Sequence, residues 1–217
     1  MSILLVSATN LEIGPARHTL KKRGIPIAIT GVGCAPALYH ILKAVQKSRP
    51  SLLIQAGIGG CFDHQYALGE VVAISEDFFG DLGVEEAKTW RSASDIGLIP
   101  PQQKPFKNGR LPNPHRSILK KCGLPVVPAV TVNEISTNQR RIQLLKDQGI
   151  VIESMEGAAL HYVGLMEKIP FLQLRSLSNY VGERNKQKWR LEEAIENLNA
   201  ALLRVTEQWQ AAVEAGK

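Results

Sequence analysis

The stretch Glu153-Ser154-Met155-Glu156-Gly157-Ala158-Ala159-Leu160 decides the fold that this sequence predicts, because it joins a short strand to an apolar helix. Residues 148–152 before it predict the strand, and residues 158–165 continue as a buried helical stripe. Glu156 then falls in the first helical turn, beside the positive end of the helix dipole, which favours its ionised form. A carboxylate at the carboxyl end of such a strand can hold sugar hydroxyls, although a glutamate that only caps the helix fits the same pattern.

The same alternation of apolar strands and helical periods runs along most of the chain. Strands are predicted at residues 3–6, 27–29, 52–55, 70–74, 126–132, 151–152 and 171–174. Helices are predicted at residues 11–22, 35–46, 139–146, 155–167 and 188–212. This order predicts one α/β domain over residues 1–217, with a mixed and largely buried sheet flanked by helices. Glycines at Gly31-Val32-Gly33 and Gly57-Ile58-Gly59-Gly60 are predicted to end strands where the backbone approaches a ligand.

Residues 89–124 interrupt this alternation. They are rich in proline, glutamine, lysine and asparagine and show neither strand nor helix periodicity. We predict an irregular excursion that forms a lid or an oligomer contact, not an independent domain.

The composition limits the functional classes. No apolar run is long enough to cross a bilayer, and the first residues lack the features of a signal peptide, so we expect a cytoplasmic chain without a membrane partner. Cys34, Cys61 and Cys122 have no CxxC or His-rich spacing, which predicts reduced thiols and no metal site. The net charge of +6 comes from dispersed lysines and arginines. Without a basic stripe interleaved with aromatic residues, no nucleic-acid partner is predicted.

Four motifs follow one another in a fixed order. They are Ser7-Ala8-Thr9-Asn10-Leu11-Glu12, Gly57-Ile58-Gly59-Gly60, Ser154-Met155-Glu156-Gly157-Ala158-Ala159 and Arg175-Ser176-Leu177-Ser178-Asn179. Together they resemble the nucleoside phosphorylase/nucleosidase family over nearly the whole chain outside residues 89–124. The resemblance implies a three-layer αβα sandwich whose central mixed sheet forms a distorted barrel. It also implies cleavage of a purine nucleoside at its N-glycosidic bond, no metal or cofactor, and a homo-oligomer, commonly a dimer.

The resemblance assigns roles at the sugar. Glu12 matches the glutamate that activates water, and Glu156 matches the one that binds the ribose hydroxyls. Met155 packs against the ribose face, and Arg175 orients the sugar-binding carboxylate and the base-binding residue. On residue type alone, Glu12 also fits an exposed glutamate of a first helical turn, Met155 a core methionine, and Arg175 a simple salt bridge.

Asn179 bears on the identity of the base. Residues 77–85 and 178–185, followed by Trp189, resemble the futalosine hydrolases of the alternative menaquinone pathway. The methylthioadenosine/S-adenosylhomocysteine nucleosidases resemble the chain too, but they carry an aspartate where this chain has Asn179. An amide offers both a donor and an acceptor and suits the 6-oxo purine hypoxanthine, whereas a carboxylic acid can protonate N7 of adenine. A turn asparagine is the alternative.

Further contacts to the substrate are expected around these residues. The resemblance adds Gly57, Ile58 and Ser178 to the binding site, with main-chain purine contacts at Ser136 and Thr137. Aromatic side chains that could flank a substrate tail are Phe78, Phe79, Tyr180 and Trp189, and Arg184 or Lys188 could meet a carboxylate on that tail.

Water is the expected nucleophile. Related phosphorylases place arginines in the first loop and beside a glycine-serine turn, whereas this chain has Thr9, Asn10 and Ile58 there. A phosphate dianion needs several converging donors, so hydrolysis is favoured. A methylthioadenosine/S-adenosylhomocysteine nucleosidase, a purine nucleoside phosphorylase and a catalytically silent nucleoside-binding module remain as alternatives.

Overall fold

The structure is a computed structural model that describes residues 2–87, 89–100 and 102–214. Met1, Lys88, Pro101 and residues 215–217 of the predicted domain lie outside the described residues. The strands are β1 Ile3–Ser7, β2 Ile27–Ile29, β3 Leu52–Cys61, β4 Val71–Asp77, β5 Gly83–Glu86, β6 Thr89–Ser92, β7 Leu111–Pro112, β8 Val126–Thr131, β9 Ile152–Ser154 and β10 Phe171–Tyr180. The helices are α1 Gly14–Lys22, α2 Cys34–Ser48, α3 Arg116–Lys121, α4 Gln139–Asp147, α5 Gly157–Met166 and α6 Leu191–Glu214, and a 3₁₀ turn spans Lys186–Lys188.

A closed ring of strands forms the centre of the molecule. β3, β9, β8, β4 and β10 pair in this order, and β10 returns to pair with β3. The ring is mixed, because β3–β9 and β10–β4 are antiparallel while the other pairs are parallel. β1 and β2 extend the sheet from β3 in parallel register. The predicted mixed sheet closed into a distorted barrel is confirmed.

Helices cover the sheet on two sides because side chains alternate along each strand. Leu5 and Leu52 pack with Leu20 of α1 and Leu202 of α6 in one core cluster. The neighbouring residues Val6 and Leu53 point the other way and pack with residues of α2 and α5. These two clusters are the interfaces between the three layers, and the order of predicted strands and helices is confirmed. No helix in the described part of the chain is both long and apolar enough to span a bilayer.

Two strands of the ring run further than the apolar pattern predicts. β3 continues to Cys61, so Gly57-Ile58-Gly59-Gly60 lies within the strand, and the predicted end of the strand there is wrong. The glycines pair with β10, and Gly60 also pairs with β9 on the other side. A Cβ on Gly59 would lie 2.9 Å from the backbone oxygen of Glu153. β10 likewise continues to Tyr180 and carries the motif that begins at Arg175.

Two helices begin later than predicted. α1 starts at Gly14 and has Pro15 in its first turn, where a missing N–H costs little, so residues 11–13 belong to the preceding loop. α5 starts at Gly157, which makes Glu156 its N-cap and not a residue of the first turn. Both shifts place a glutamate in a loop at the carboxyl end of a strand.

The predicted irregular excursion at residues 89–124 contains regular elements, so that prediction is wrong in part. β5 and β6 form a separate antiparallel hairpin, and β7 pairs with β4. Ile118 and Leu119 of α3 join the same core cluster as α1 and α6. Short elements of this kind carry too few periodic residues to be read from a single sequence.

Candidate active site

A cleft of about 360 Å³ opens at one end of the barrel. The predicted residues that line it are Glu12, Ile58, Met155, Glu156, Ser178 and Asn179. They come from the loops after β1 and β9 and from the extended parts of β3 and β10. The closed sheet therefore brings together residues that are far apart in the sequence.

The Glu12 carboxylate is buried and held by donors from two directions. Its Oε2 accepts hydrogen bonds from Ser7 Oγ at 3.2 Å and from the backbone nitrogen and hydroxyl of Thr9, both at 2.9 Å. Its Oε1 accepts the Ile58 N–H at 3.2 Å. The side chain is 6% exposed, so the alternative of an exposed helix glutamate does not fit. All four contacts are donors, as an acceptor-only carboxylate requires, and Oε1 keeps acceptor capacity on the cleft wall.

The Glu156 carboxylate makes long-range contacts instead of capping α5. No side-chain capping hydrogen bond is present at this N-cap, so the capping alternative does not fit. Oε1 accepts the N–H of Gly33 at 3.0 Å, and Oε2 lies 3.6 Å from Nη1 of Arg175. Gly33 has φ +97°, a conformation that favours glycine, and this presents its N–H to the carboxylate.

Arg175 lies beneath the cleft and not on its wall. The side chain is 1% exposed, and its Nη2 donates to Gln55 Oε1 at 3.0 Å. Gln55 in turn donates from Nε2 to the backbone oxygen of Glu156 at 3.3 Å. Arg175 thus contacts Glu156 directly and through Gln55, within a buried polar group.

Gly57 also lies beneath the cleft. A Cβ at this position would overlap Nη1 of Arg175 and would lie 2.9 Å from Oε1 of Glu12. The missing side chain therefore leaves the space in which Glu12 and Arg175 both approach β3. The structure does not place Gly57 on the cleft wall, whereas its neighbour Ile58 does line it.

Asn179 and Ser178, near the end of β10, also line the cleft. The pairing of β10 with β3 shifts register between Leu177 and Asn179, and such a bulge re-aims side chains. Ser178 Oγ lies 2.9 Å from Asn179 Oδ1, and Asn179 Nδ2 donates to the Tyr180 oxygen at 3.1 Å. Asn179 is thus an oriented strand residue, the turn alternative does not fit, and one N–H of its amide has no protein partner among the described residues.

Glu153 is a cleft residue to which the sequence analysis assigned no role. It is 6% exposed, lines the cleft, and accepts the Ser136 N–H through Oε1 at 3.1 Å. Burial raises the pKa of this carboxyl. Ser136 and Thr137 do not line the cleft, whereas their neighbour Ile135 does. An acid inside an otherwise apolar strand was the available signal for Glu153.

The aromatic residues expected to flank a tail are separated in the structure. Trp189 lines the cleft, and Arg184 lies over its ring with Cζ 5.8 Å from the centroid. Phe78 and Phe79 instead line a different cavity, of about 280 Å³, beside the β5–β6 hairpin. Tyr180 stacks on His64 outside the cleft. These three aromatic residues are therefore not brought to the cleft.

The cationic residues near the cleft are few. Among the described residues that line it, Arg184 is the only lysine or arginine. Lys188 is paired with Glu183 at 2.6 Å, and Arg17 donates to Asn10 Oδ1 at 2.6 Å. The inner part of the cleft therefore holds carboxylates and no lining cation.

The family follows from comparison with known sequences. The profile described as "Phosphorylase superfamily" matches residues 15–213, and the chain belongs to this superfamily. A futalosine hydrolase of Streptomyces coelicolor is 30% identical over 73% of this chain and 68% of its own length. One from Thermus thermophilus is 28% identical over 93% of this chain and 94% of its own. A 5'-methylthioadenosine/S-adenosylhomocysteine nucleosidase of Maridesulfovibrio salexigens is 25% identical over 76% of this chain and 73% of its own length.

Comparison with solved structures agrees on the fold. The 5'-methylthioadenosine/S-adenosylhomocysteine nucleosidase of Colwellia psychrerythraea in complex with adenine superposes with a TM-score of 0.80, at 18% identity over 96% of this chain and 95% of that one. At this identity the likeness shows the fold alone. With the sequence relatives it makes the chain an enzyme, a hydrolase of N-glycosyl compounds.

Proposed function

We propose that this enzyme is a futalosine hydrolase. It cleaves the N-glycosidic bond of futalosine with water and releases hypoxanthine and dehypoxanthine futalosine, a step of menaquinone biosynthesis. The observation that carries the proposal is one cleft that Glu12, Glu156 and Asn179 all line. The futalosine hydrolases among the relatives support the choice of substrate.

Glu12 acts as the general base. Its carboxylate takes a proton from water while the water oxygen bonds to the anomeric carbon and the bond to the purine nitrogen breaks. The bonding electrons leave with the base as an anion, and the base takes up a proton from solvent after Glu12 has returned its proton to solvent. Four donor contacts hold Glu12 in place before the reaction, so little reorganisation is needed at the transition state.

Glu156 holds the ribose. An acceptor-only carboxylate can bind two neighbouring hydroxyls, and its charge stabilises the positive charge that develops on the sugar. Gly33 and Arg175 fix its orientation from the side away from the cleft. Met155 supplies an apolar contact to the sugar face.

Asn179 binds the departing base. Its free N–H donates to N7 or O6 of hypoxanthine and stabilises the negative charge that the base acquires. Ser178 holds the amide oxygen, which keeps the N–H in this direction. A 6-amino purine presents a donor where hypoxanthine has O6, so an amide N–H that bonds O6 of hypoxanthine finds no acceptor at that position of adenine.

Hydrolysis is favoured over phosphorolysis by the charges in the cleft. The three glutamates that line the cleft, with Arg184 as the one arginine among the described lining residues, form an unfavourable binding site for a phosphate dianion. A methylthioadenosine/S-adenosylhomocysteine nucleosidase is the second candidate, because a relative of that name is 25% identical. It would have to release adenine efficiently in spite of Asn179.

We also propose that residues 1–217 act as one domain, in a cytoplasmic homo-oligomer whose partner is a small-molecule purine nucleoside. The superfamily match over residues 15–213 supports the single domain. Size-exclusion chromatography with light scattering tests the oligomer.

The test incubates the purified protein with futalosine, inosine and methylthioadenosine in parallel, with and without phosphate, and identifies the released bases by chromatography. Phosphate-independent hypoxanthine from futalosine supports the proposal. Faster adenine release would assign the second candidate, and phosphate-dependent cleavage of inosine would assign a phosphorylase. Nucleoside binding without any base release would indicate a binding module.

A further inference from the structure

Asp77 is a buried carboxylate behind the active site. It is the last residue of β4 and is 0% exposed. Its Oδ1 accepts hydrogen bonds from Thr131 Oγ1 at 2.9 Å and from the Phe78 N–H at 2.8 Å, and its Oδ2 accepts from Gln173 Nε2 at 3.2 Å. None of the ion pairs among the described residues includes it. Burying a carboxyl group without a salt bridge is costly, and here three hydrogen-bond donors are provided for it. Such a residue is expected to have a structural or functional role.

Asp77 is connected to the residues that follow Glu156. The Thr131 hydroxyl that donates to Asp77 also accepts the Ala158 N–H at 2.7 Å, within the first turn of α5. A Cβ on Gly157 would overlap Asp77 Oδ2 and Gln173 Nε2. The backbone immediately after Glu156 therefore packs against the Asp77 carboxylate at Gly157 and is hydrogen-bonded to Thr131 at Ala158.

His161 is the last of the buried polar side chains that begin with Asp77 and continue with Gln173. Its Nδ1 donates to the Leu111 oxygen at 2.7 Å, so Nε2 of the neutral ring is an acceptor. Neither His161 Nε2 nor Gln173 Oε1 has a hydrogen-bond partner among the described residues. If Asp77 is protonated, the Gln173 amide can rotate, accept the Asp77 proton with its oxygen and donate to His161 with its nitrogen. One proton thus satisfies every polar atom between Asp77 and His161.

We propose that Asp77 is a positioning residue for the reaction, which acts through Thr131 and the first turn of α5 to hold Glu156 against the ribose. The inference rests on the proposed role of Glu156 as the sugar-binding carboxylate. Asp77 itself does not line the cleft, so its effect on the substrate is indirect.

The charge of Asp77 also affects the proposed sugar-binding site, because Asp77 interacts electrostatically with Arg175, which contacts Glu156. Burial raises the pKa of Asp77 to about 6, against the lowering effect of the Thr131 hydrogen bond and the Arg175 charge. The titratable and charged groups around it are Arg175 of β10, His161 of α5, Glu156 at the start of α5 and Cys34 of α2, whose thiol pKa is itself raised by burial and by Asp77. Ionised Asp77 offsets the positive charge of Arg175, so the sugar site becomes more negative above pH 6. A more negative site favours the cationic sugar of the transition state.

The first experiment uses the matched pair Thr131→Val and Thr131→Ser. Valine keeps the volume and removes the hydroxyl, whereas serine keeps the hydroxyl. Without the hydroxyl that links Asp77 to the Ala158 N–H, Thr131→Val should have a KM about tenfold higher and a smaller change in kcat. Both constants of Thr131→Ser should stay within about threefold of the wild type. Equal kinetics for the two variants, or a fall in kcat alone, would overturn the positioning role.

The second experiment follows kcat/KM from pH 5 to 8 in the wild type and in Asp77→Asn. The amide is isosteric, and melting curves check that the variant folds. The wild type should show a rise in kcat/KM centred near pH 6, and Asp77→Asn should lose this component and stay about tenfold lower at pH 7.5. An unchanged rise in Asp77→Asn would assign it to another group and would contradict the inference.

The assays keep the two proposals apart. If the wild type cleaves methylthioadenosine or inosine instead of futalosine, the substrate proposal fails, and the same variants are measured on the nucleoside that is cleaved. If no nucleoside is cleaved, calorimetric binding of inosine replaces KM. On whichever nucleoside is used, the outcomes named above for the Thr131 and Asp77 variants decide the positioning role, whereas the identity of the cleaved nucleoside decides the substrate proposal.

Discussion

The inner and outer parts of the cleft are built in different ways. At the inner end, Glu12 and Glu156 are about 95% buried, and each accepts a backbone N–H from a distant part of the chain. At the outer rim, Leu11 is 65% exposed, Val32 55% and Ile135 39%, in loops between the strands. The closed sheet thus preorganises the groups proposed for bond cleavage, while exposed loops form the rim of the cleft. Substitutions inside should therefore change chemistry and stability together, and substitutions near the base should change selectivity.

The largest effect is expected at Glu12. Glu12→Gln keeps the size of the side chain but cannot accept a proton from water, so kcat should fall by about 10²–10⁴-fold while nucleoside binding is retained. Single-turnover kinetics and calorimetry measure the two quantities. Glu207→Gln, at an exposed surface ion pair with Arg23, is the control and should have wild-type activity. Full activity of Glu12→Gln would remove Glu12 from the mechanism.

Glu156→Gln should affect both stability and binding. The change leaves the Arg175 guanidinium buried without its charge partner, which should lower the free energy of unfolding by about 3–5 kcal/mol. It should also raise KM, because the ribose hydroxyls lose a charged acceptor. Denaturant titration and steady-state kinetics test this. A stable variant with an unchanged KM would contradict the role of the buried pair.

The sequence pattern predicted the inner half of the cleft better than its surroundings. Glu12 and Glu156 follow apolar strands and could be placed in the loops after them, whereas Arg175 lies within β10 and not at its end. The full lengths of β3 and β10 could not be predicted, because glycine and polar residues interrupt the apolar pattern although the extended parts of these two strands pair with each other. The contacts of Asp77 depend on pairing between strands that are far apart in the chain, and no local pattern encodes them.

Asp77→Asn should change the pH dependence of stability. In the wild type, the raised pKa of Asp77, about 6 against 3.8, adds stability as the pH falls through this range. The lowered pKa of His161, about 4 against 6.5, removes stability over nearly the same range, so the two oppose each other. In Asp77→Asn, acidification from pH 6.5 to 4 should lower the free energy of unfolding by about 3 kcal/mol more than in the wild type. Denaturant titrations at several pH values measure the difference, and equal slopes would contradict it.

Gly157→Ala tests the close packing behind Glu156. Its Cβ would overlap Asp77 Oδ2, and overpacking of this kind should cost about 1–3 kcal/mol. Gly14→Ala is a matched control, because Gly14 also begins a helix and a Cβ there meets nothing within 4 Å. Thermal unfolding compares the two. Equal melting temperatures would mean that the close packing around Gly157 does not affect the stability of the fold.

The smallest effect is expected at Asn179, in selectivity more than in rate. Asn179→Asp replaces the donating amide by a carboxyl group, so the preference for a 6-oxo purine over a 6-amino purine should fall by about tenfold or more. The ratio of kcat/KM for the two substrate types measures it. Asn185→Asp, a capping asparagine of the exposed 3₁₀ turn, is the control and should leave the ratio unchanged. An unchanged ratio in Asn179→Asp would assign base selection to other residues.

The most direct test of the account is the ratio of kcat/KM for futalosine to that for methylthioadenosine, measured on the wild-type enzyme in phosphate-free buffer. The geometry of Glu12, Glu156 and Asn179 predicts hypoxanthine release from futalosine without phosphate and a ratio of at least about 10². A ratio below one, with adenine released faster than hypoxanthine, would contradict the assignment of Asn179 to a 6-oxo purine and with it the proposed function.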